Sequence, residues 1–294
     1  MSGHLTDKVI IITGAASGFG ALIAEKCAAG GARVVGVDVN VAGLGAVVDG
    51  IRTTGGQALA IGADVTDLAQ MRDVATQTVA EFGAIDVIVN NAGVMPLAFF
   101  ADHERAADRW HRAIDINIKG VLNGISAVYD QMIEQGRGHV VNISSIYGNA
   151  GVAGSGVYSA TKAAVNALSD SLRIETKGRI KVTTVRPTGV AGTNLASWIV
   201  NGAAIFGMVG QRAAQYAEHT KQMIAGTLPD ELTDPDSVEY WLITPDELTD
   251  PDSVEYWLIT PDELADAVVH VIDQPWGISL SDVTVRASGE DYLY

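Results

Sequence analysis

A doubly wound α/β fold is the architecture this sequence predicts: a parallel sheet of about seven strands with helices on both faces. Three observations point to it. Short β-branched runs alternate with longer helical stretches, as βαβ units require. The first of these junctions is rich in glycine. Polar residues recur where strands end, and ligands of open parallel sheets bind beyond the carboxyl ends of the strands.

Lys8 to Ile12 (KVIII) is a continuous apolar run suited to a strand buried on both faces. Thr13-Gly14-Ala15-Ala16-Ser17-Gly18-Phe19-Gly20 follows and leads into a helical stretch from Ala21 to Ala29. A strand, a glycine turn and a helix start together form an anion site from backbone N–H groups and the helix dipole. Gly14, Gly18 and Gly20 fit that purpose, because a side chain there would keep a pyrophosphate at a distance. Arg33 to Val37 reads as the second strand, with Asp38 at its end. An acid about 20 residues past such a loop accepts hydrogen bonds from an adenosine ribose and repels a 2′-phosphate. Neither Ala15 nor Val39 supplies a base for that phosphate, so NAD is expected in preference to NADP.

The next segments read as a helix over 41–53, a strand around Ala58 to Ile61 and a helix over 67–82. Asp64-Val65 is expected to end the third strand, with Asp64 able to accept from an adenine amino group. Ile85 to Val89 is a fourth strand, ending in Asn90-Asn91-Ala92-Gly93, small and amide residues suited to a loop beside a cofactor. A helical region from about Glu104 to Glu134 carries Asn117 at its middle, where Asn is unfavourable because its side chain competes for backbone bonds. It is either an exposed neutral residue or one used to hold water. His139 to Ile143 forms the fifth strand, Ser145 stands just beyond it, and Ile180 to Val185 forms the sixth.

Between these strands lie Tyr158 and Lys162, one helical turn apart on a shared face. A nearby ammonium favours a phenolate and lowers a tyrosine pKa from about 10. Chance would supply roughly 0.2 pairs at this spacing in a chain of this composition, so the pair means little alone. Its position after Ser145, and downstream of the glycine loop, gives it weight.

In this ordered set the chain resembles the short-chain dehydrogenase/reductase family: the TGxxxGxG loop at 13–20, Asn90 to Gly93, Asn117, Ser145 and Tyr158-x-x-x-Lys162. The resemblance covers about residues 5–190 plus a final helix and strand. It implies Tyr158 as the acid/base and Ser145 as the group orienting the reacting oxygen. Lys162 would bind the nicotinamide ribose and depress the Tyr158 pKa, and Asn117 would hold the water of a proton relay. Cofactor contacts are implied at Gly14, Ser17, Phe19, Asp38, Asp64, Val65, Asn91 and Val190. After the sixth strand the chain departs from the family's Pro-Gly pattern, with Thr188 following Pro187 and Thr193 one place late.

From Gly189 to about Thr227 the chain is apolar, with Trp198, Phe206 and Met208 spaced through it. The corresponding family segment is a substrate lid, and its character favours a hydrophobic secondary alcohol or ketone. Residues 229–244 (PDELTDPDSVEYWLIT) recur unchanged at 245–260, so the lid at about 189–260 contains an exact tandem duplication. Thr260-Pro261-Asp262-Glu263 reads as a capping box with Pro at the first helical position, opening a last helix over 261–272.

The 294 residues suit one domain with an insertion. A net charge of −16 argues against nucleic acid or anionic lipid as partner, although the extra copy supplies five of those charges. One cysteine, Cys27, fits a reducing compartment. No signal-peptide core or apolar stretch of membrane-spanning length is read, so a cytoplasmic protein is expected. The six histidines lack ligand spacing, and no metal is expected. The resemblance implies a homo-oligomer, a dimer or tetramer, built on the helices around 104–134 and 158–176. The expected function is NAD-dependent interconversion of a hydrophobic secondary alcohol and its ketone. NADPH-linked carbonyl or 3-oxoacyl reduction, or a non-catalytic dinucleotide sensor, are the alternatives.

Overall fold

The computed structural model describes residues 3–190, 194–207 and 259–287. Seven parallel strands form one sheet in the order β3-β2-β1-β4-β5-β6-β7. They are β1 (Val9–Thr13), β2 (Arg33–Asp38), β3 (Gln57–Gly62), β4 (Val87–Asn90), β5 (Gly138–Ile143), β6 (Ile180–Pro187) and β7 (Asp282–Val285). The helices are α1 (Gly18–Ala29), α2 (Val41–Thr53), α3 (Leu68–Phe82), α4 (His103–Ile114), α5 (Gly120–Glu134), α6 (Gly156–Glu175) and α7 (Pro261–Ile272).

The β-branched strands form because both of their faces are covered. In β1 all five residues are buried. Ile10 and Ile12 enter a core shared with Ile23 and Cys27 of α1, Leu44 of α2 and Leu264 of α7. Ile11, pointing the other way, joins Met71 of α3, Val121 and Val128 of α5, and Val165 of α6. Each fully buried Ile contributes about 2 kcal/mol of hydrophobic stabilisation.

The chain reverses its winding between β1 and β4, and there the crevice for a ligand opens. Thr13 stitches the two strand ends together: its Oγ1 accepts from the backbone N–H groups of Asn91 at 3.0 Å and Ala92 at 3.1 Å.

The expected capping box is present. Thr260 Oγ1 accepts from Glu263 N at 3.2 Å, and the Glu263 carboxylate accepts from Thr260 N at 2.7 Å. Ile259 bridges to Val190 just before it. The rest of the duplication, and Met208, lie outside the described residues. Removing either copy leaves one and the same sequence, in which Ile243-Thr244 stand in for Ile259-Thr260. Deletion of 245–260 is therefore expected to preserve the bridge, the cap and a kcat/KM within about twofold, since α7 packing is untouched. A large loss of kcat/KM would mean that the extra copy shapes the site.

One expectation needs correction. Asp64-Val65 does not end the third strand. β3 stops at Gly62, and the Asp64 carbonyl accepts from Asp67 N at 3.0 Å in the turn that starts α3. Asp67 then caps the helix through Ala69 N and Gln70 N, so the turn wins over strand continuation. The long helical region around Asn117 is continuous, but Asp115–Lys119 winds as a π turn between α4 and α5.

Candidate active site

A cavity of about 630 Å³ runs along the carboxyl ends of β1, β2, β4, β5 and β6. Its wall includes Gly14, Ser17, Gly18, Phe19 and Gly20 of the first loop, Asp38, Asp64 and Val65, Asn91, Ser145, Tyr158, Lys162 and Val190. The structure thus brings together every residue implied by the resemblance except Asn117, which lies just behind the wall.

Two of the three glycines of the loop, besides lining the cavity, are required by the fold itself. A Cβ on Gly20 would collide with the Gly14 carbonyl oxygen, and one on Gly14 would lie 2.9 Å from Asn91 Nδ2. Both glycines are needed for packing of the loop on itself and on β4. Only Gly18, at φ +57°, has nothing within 4 Å of its would-be Cβ, so it keeps the approach to the helix start open. The N-terminus of α1 is available as well. Asn40, Asp67 and Thr260 cap α2, α3 and α7 with their side chains, whereas Ser17 makes no such bond. First-turn N–H groups left without a cap and open to a cavity are suited to phosphate. Asn91 donates through Nδ2 to Thr13 O at 2.8 Å, and its buried Oδ1 has no donor among the described residues. A nucleotide with hydroxyl donors fits this wall.

Asp38 sits at the end of β2, half-buried, with Oδ2 accepting from Ala16 N at 3.1 Å and Oδ1 from Asn40 N at 2.8 Å. These bonds fix the carboxylate against the loop. Asp64 is held by Arg112 and Thr66.

Beyond β5, Ser145 begins a short 3₁₀ turn (Ile146–Gly148) and its Oγ accepts from Tyr147 N at 3.2 Å. Tyr158 and Lys162 lie on the first turns of α6, both buried. Lys162 Nζ donates to Ile143 O at 2.9 Å and stands 5.8 Å from the centroid of the Tyr158 ring. Burial pushes the Tyr158 phenol up to about 12, with the Ser145 hydroxyl pulling the other way. Burial also brings the Lys162 ammonium down to about 8. In the protein alone burial outweighs the other influences, and the phenol lies above its ordinary value rather than below it. Desolvation dominates, with Lys162 directing one of its three N–H donors to the Ile143 carbonyl.

Of the two readings of Asn117, only the exposed one fails. The residue is 1% exposed, and its side chain is committed. Oδ1 accepts from Val94 N at 2.9 Å, while Nδ2 donates to Val94 O at 2.9 Å and Thr161 Oγ1 at 3.0 Å. It pins the π turn to the loop after β4 and to α6. π turns of this kind are frequent at functional sites.

The described part of the lid lies over the cavity as two 3₁₀ turns, Asn194–Trp198 and Gly202–Gly207. Asn194 Nδ2 donates to Ser17 Oγ at 3.3 Å, and Arg109 Nη1 donates to Ser197 O at 3.0 Å with its guanidinium 5.8 Å from the Trp198 ring. Trp198, Ile199 and Ile205 line the same cavity as Met95, Leu97, Tyr147, Ser145 and Tyr158, and Met95 packs against the cluster of Ile146, Tyr147 and Tyr158. Met95, Leu97 and Tyr147 escaped sequence reading, since isolated apolar residues in loops carry no periodic signal. The Phe206 side chain lies outside the description.

Comparison with known proteins agrees with this geometry. The family model described as "short chain dehydrogenase" matches residues 8–204. The chain belongs to the short-chain dehydrogenase family. Within that family it is 37% identical over 223 residues to 3-alpha-(or 20-beta)-hydroxysteroid dehydrogenase of Mycobacterium tuberculosis, covering 74% of this chain and 81% of that one. It is 36% identical over 204 residues to glycine betaine reductase ATRR of Emericella nidulans, covering 69% of this chain. The match spans only 16% of the length of that much longer protein. An alcohol dehydrogenase from Thermococcus sibiricus, solved with 5-hydroxy-NADP, superposes with a TM-score of 0.74 at 21% identity over 98% of this chain and 99% of that one. At that identity the likeness shows the fold alone. The chain is thus an oxidoreductase of the short-chain dehydrogenase type, and no helix among the described residues is long and apolar enough to cross a membrane.

Proposed function

We propose that this short-chain dehydrogenase interconverts a hydrophobic secondary alcohol and its ketone with NAD as cofactor. The observation that carries the reading is the buried Ser145–Tyr158–Lys162 group in the wall of a cavity that Met95, Leu97 and Trp198 also line. A nicotinamide cofactor held by the glycine loop, Asp38 and Lys162 would supply or accept the hydride. The protein provides the rest. The Ser145 hydroxyl donates to the reacting oxygen and localises its charge. In reduction the Tyr158 hydroxyl gives its proton to that oxygen; in oxidation the phenolate takes it back. Lys162, an ammonium at neutral pH with a pKa near 8, stabilises the phenolate and binds the cofactor's ribose. Because the Asn117 side chain is occupied, its part in a proton relay is to hold the π turn, whose displaced backbone carbonyl would receive the water.

Asp38 supports NAD over NADP: a fixed carboxylate accepts from ribose hydroxyls and repels a 2′-phosphate. Asp38→Asn keeps one of the two oxygens that accept from the backbone and removes the charge. It should lower kcat/KM with NAD about tenfold while leaving the NADP value level or higher. An unchanged ratio of the two would remove Asp38 from cofactor choice. A metagenomic short-chain oxidoreductase, 28% identical and solved with NADP, keeps the NADPH-linked reductase as the second reading.

The lid and the cavity residues Met95, Leu97 and Tyr147 favour a neutral, bulky substrate, and the hydroxysteroid dehydrogenase relative points the same way. The test is turnover on a panel of alicyclic, aromatic and terpenoid alcohols. Cofactor binding without any turnover would leave a dinucleotide-binding protein that has lost its chemistry. Assembly as a homo-oligomer through α4, α5 and α6 is part of this proposal, to be read from molar mass in solution.

A further inference from the structure

At the end of the cavity beyond Asp38 lies a group of residues that the site motifs leave unexplained. Arg112, in the last turn of α4, reaches back to the turn after β3. Its Nη2 donates to Asp64 Oδ2 at 2.8 Å and its Nη1 to Thr66 Oγ1 at 3.3 Å. Asp64 Oδ1 accepts from Thr66 N at 2.9 Å and from Thr66 Oγ1 at 2.8 Å. The main chain of Asp64 is held as well, its N–H donating to Gln70 Oε1 at 2.9 Å and its carbonyl accepting from Asp67 N at 3.0 Å.

A carboxylate offers about four acceptor positions. Three are taken here, and the oxygen paired with Arg112 keeps one. Both residues stand in the cavity wall, and the Asp64 side chain remains 30% exposed. Burial opposes the Asp64 charge, but Arg112 and Thr66 outweigh it and hold the carboxyl below its ordinary range, so it is an anion at neutral pH. An acceptor with a single open position recognises a donor such as an exocyclic amino group.

Rotation is what Arg112 prevents. The terminal torsion of an Asp side chain is broad, and Thr66 alone grips only one oxygen. Without the guanidinium on the other, the carboxylate can turn its open position away from the cavity. An exposed ion pair adds at most about 1 kcal/mol to stability, so this pair matters more for orientation than for folding.

We propose that Arg112 is a positioning residue for base recognition: it holds Asp64 so that one free acceptor position reads the amino group of an adenine and rejects a purine with a carbonyl in its place. The proposal rests on the reading of this cavity as a dinucleotide site with Asp64 at the base.

The test is calorimetric, without substrate, on wild type, Arg112→Gln and Arg112→Lys. The ligands are NAD, nicotinamide hypoxanthine dinucleotide and nicotinamide mononucleotide. Wild type should bind the adenine form about tenfold more tightly than the hypoxanthine form, the effect of one charge-assisted hydrogen bond. Arg112→Gln should bring that ratio to about twofold or less without changing the affinity for the mononucleotide, and Arg112→Lys should fall between. Equal weakening of all three ligands would reduce Arg112 to a structural strap. A ratio retained in Arg112→Gln, or no discrimination in wild type, would overturn the proposal. Wild type that binds neither dinucleotide would instead overturn the cofactor reading beneath it.

Discussion

Tyr158→Phe should reduce kcat by about 10³-fold while leaving the dissociation constant for NADH within about twofold. General acid–base groups contribute on the order of 10²–10⁴, and no other phenol or carboxylate in the cavity wall lies on the same face of α6 as Lys162. Loss of the fold is not a competing explanation. The substitution removes a hydroxyl from a buried ring, and Ser145 Oγ retains its bond from Tyr147 N. Burial raises the phenol to about 12, so the free protein presents a proton donor at neutral pH. Reduction is ready without adjustment. Oxidation requires the phenolate and should speed up as pH rises, helped by the positive charge of Lys162 near the Tyr158 ring. Retained turnover in the phenylalanine variant, in either direction, would sink the assignment.

Lys162→Met is expected to abolish measurable turnover and, at the same time, to stabilise the protein at pH 7. The ammonium is buried, its pKa brought from 10.5 to about 8 by desolvation. At 1.36 kcal/mol per pKa unit that depression corresponds to about 3 kcal/mol against folding. The sign follows from proton binding. Below pH 8 both folded and unfolded chains carry the charge, and the folded state bears the whole penalty. Between about 8 and 10.5 the unfolded chain binds more protons, so wild-type stability from this group rises with pH. The advantage of the methionine variant should thus be largest below pH 8 and fade by about 10.5. Denaturant unfolding at pH 7 and pH 10.5 measures both ends. A variant less stable than wild type at pH 7 would show that the ammonium finds compensation the burial account omits.

Much of this was legible from residue order, and the reasons for the remainder are specific. The Lys8–Ile12 run, the 13–20 loop, Asp38 and the Thr260–Glu263 box are local patterns, each acting through neighbours in sequence. They predicted the sheet, the crevice and the start of the last helix. Three features escaped because their causes are non-local. The Asp64–Arg112 pair joins residues 48 apart, and neither side chain is unusual where it stands. Asn117 looked out of place in a helix because it is not in a regular one: Val94 and Thr161, distant in sequence, hold it in a π turn. The mutual influence of Tyr158 and Lys162 could be guessed from spacing, but not its sign in the protein alone. That sign is set by burial, which follows from the packing of α6 against β6, α4, the π turn and the Ile146–Gly148 turn.

The most direct test of the central claim is kcat/KM for a hydrophobic secondary alcohol with NAD and with NADP, followed by the appearance of reduced nicotinamide. At least one cyclic or aromatic alcohol should be oxidised, with NAD favoured by about tenfold or more, in keeping with the fixed Asp38 carboxylate. Preference for NADP, or binding of NAD without turnover across the panel, would contradict it.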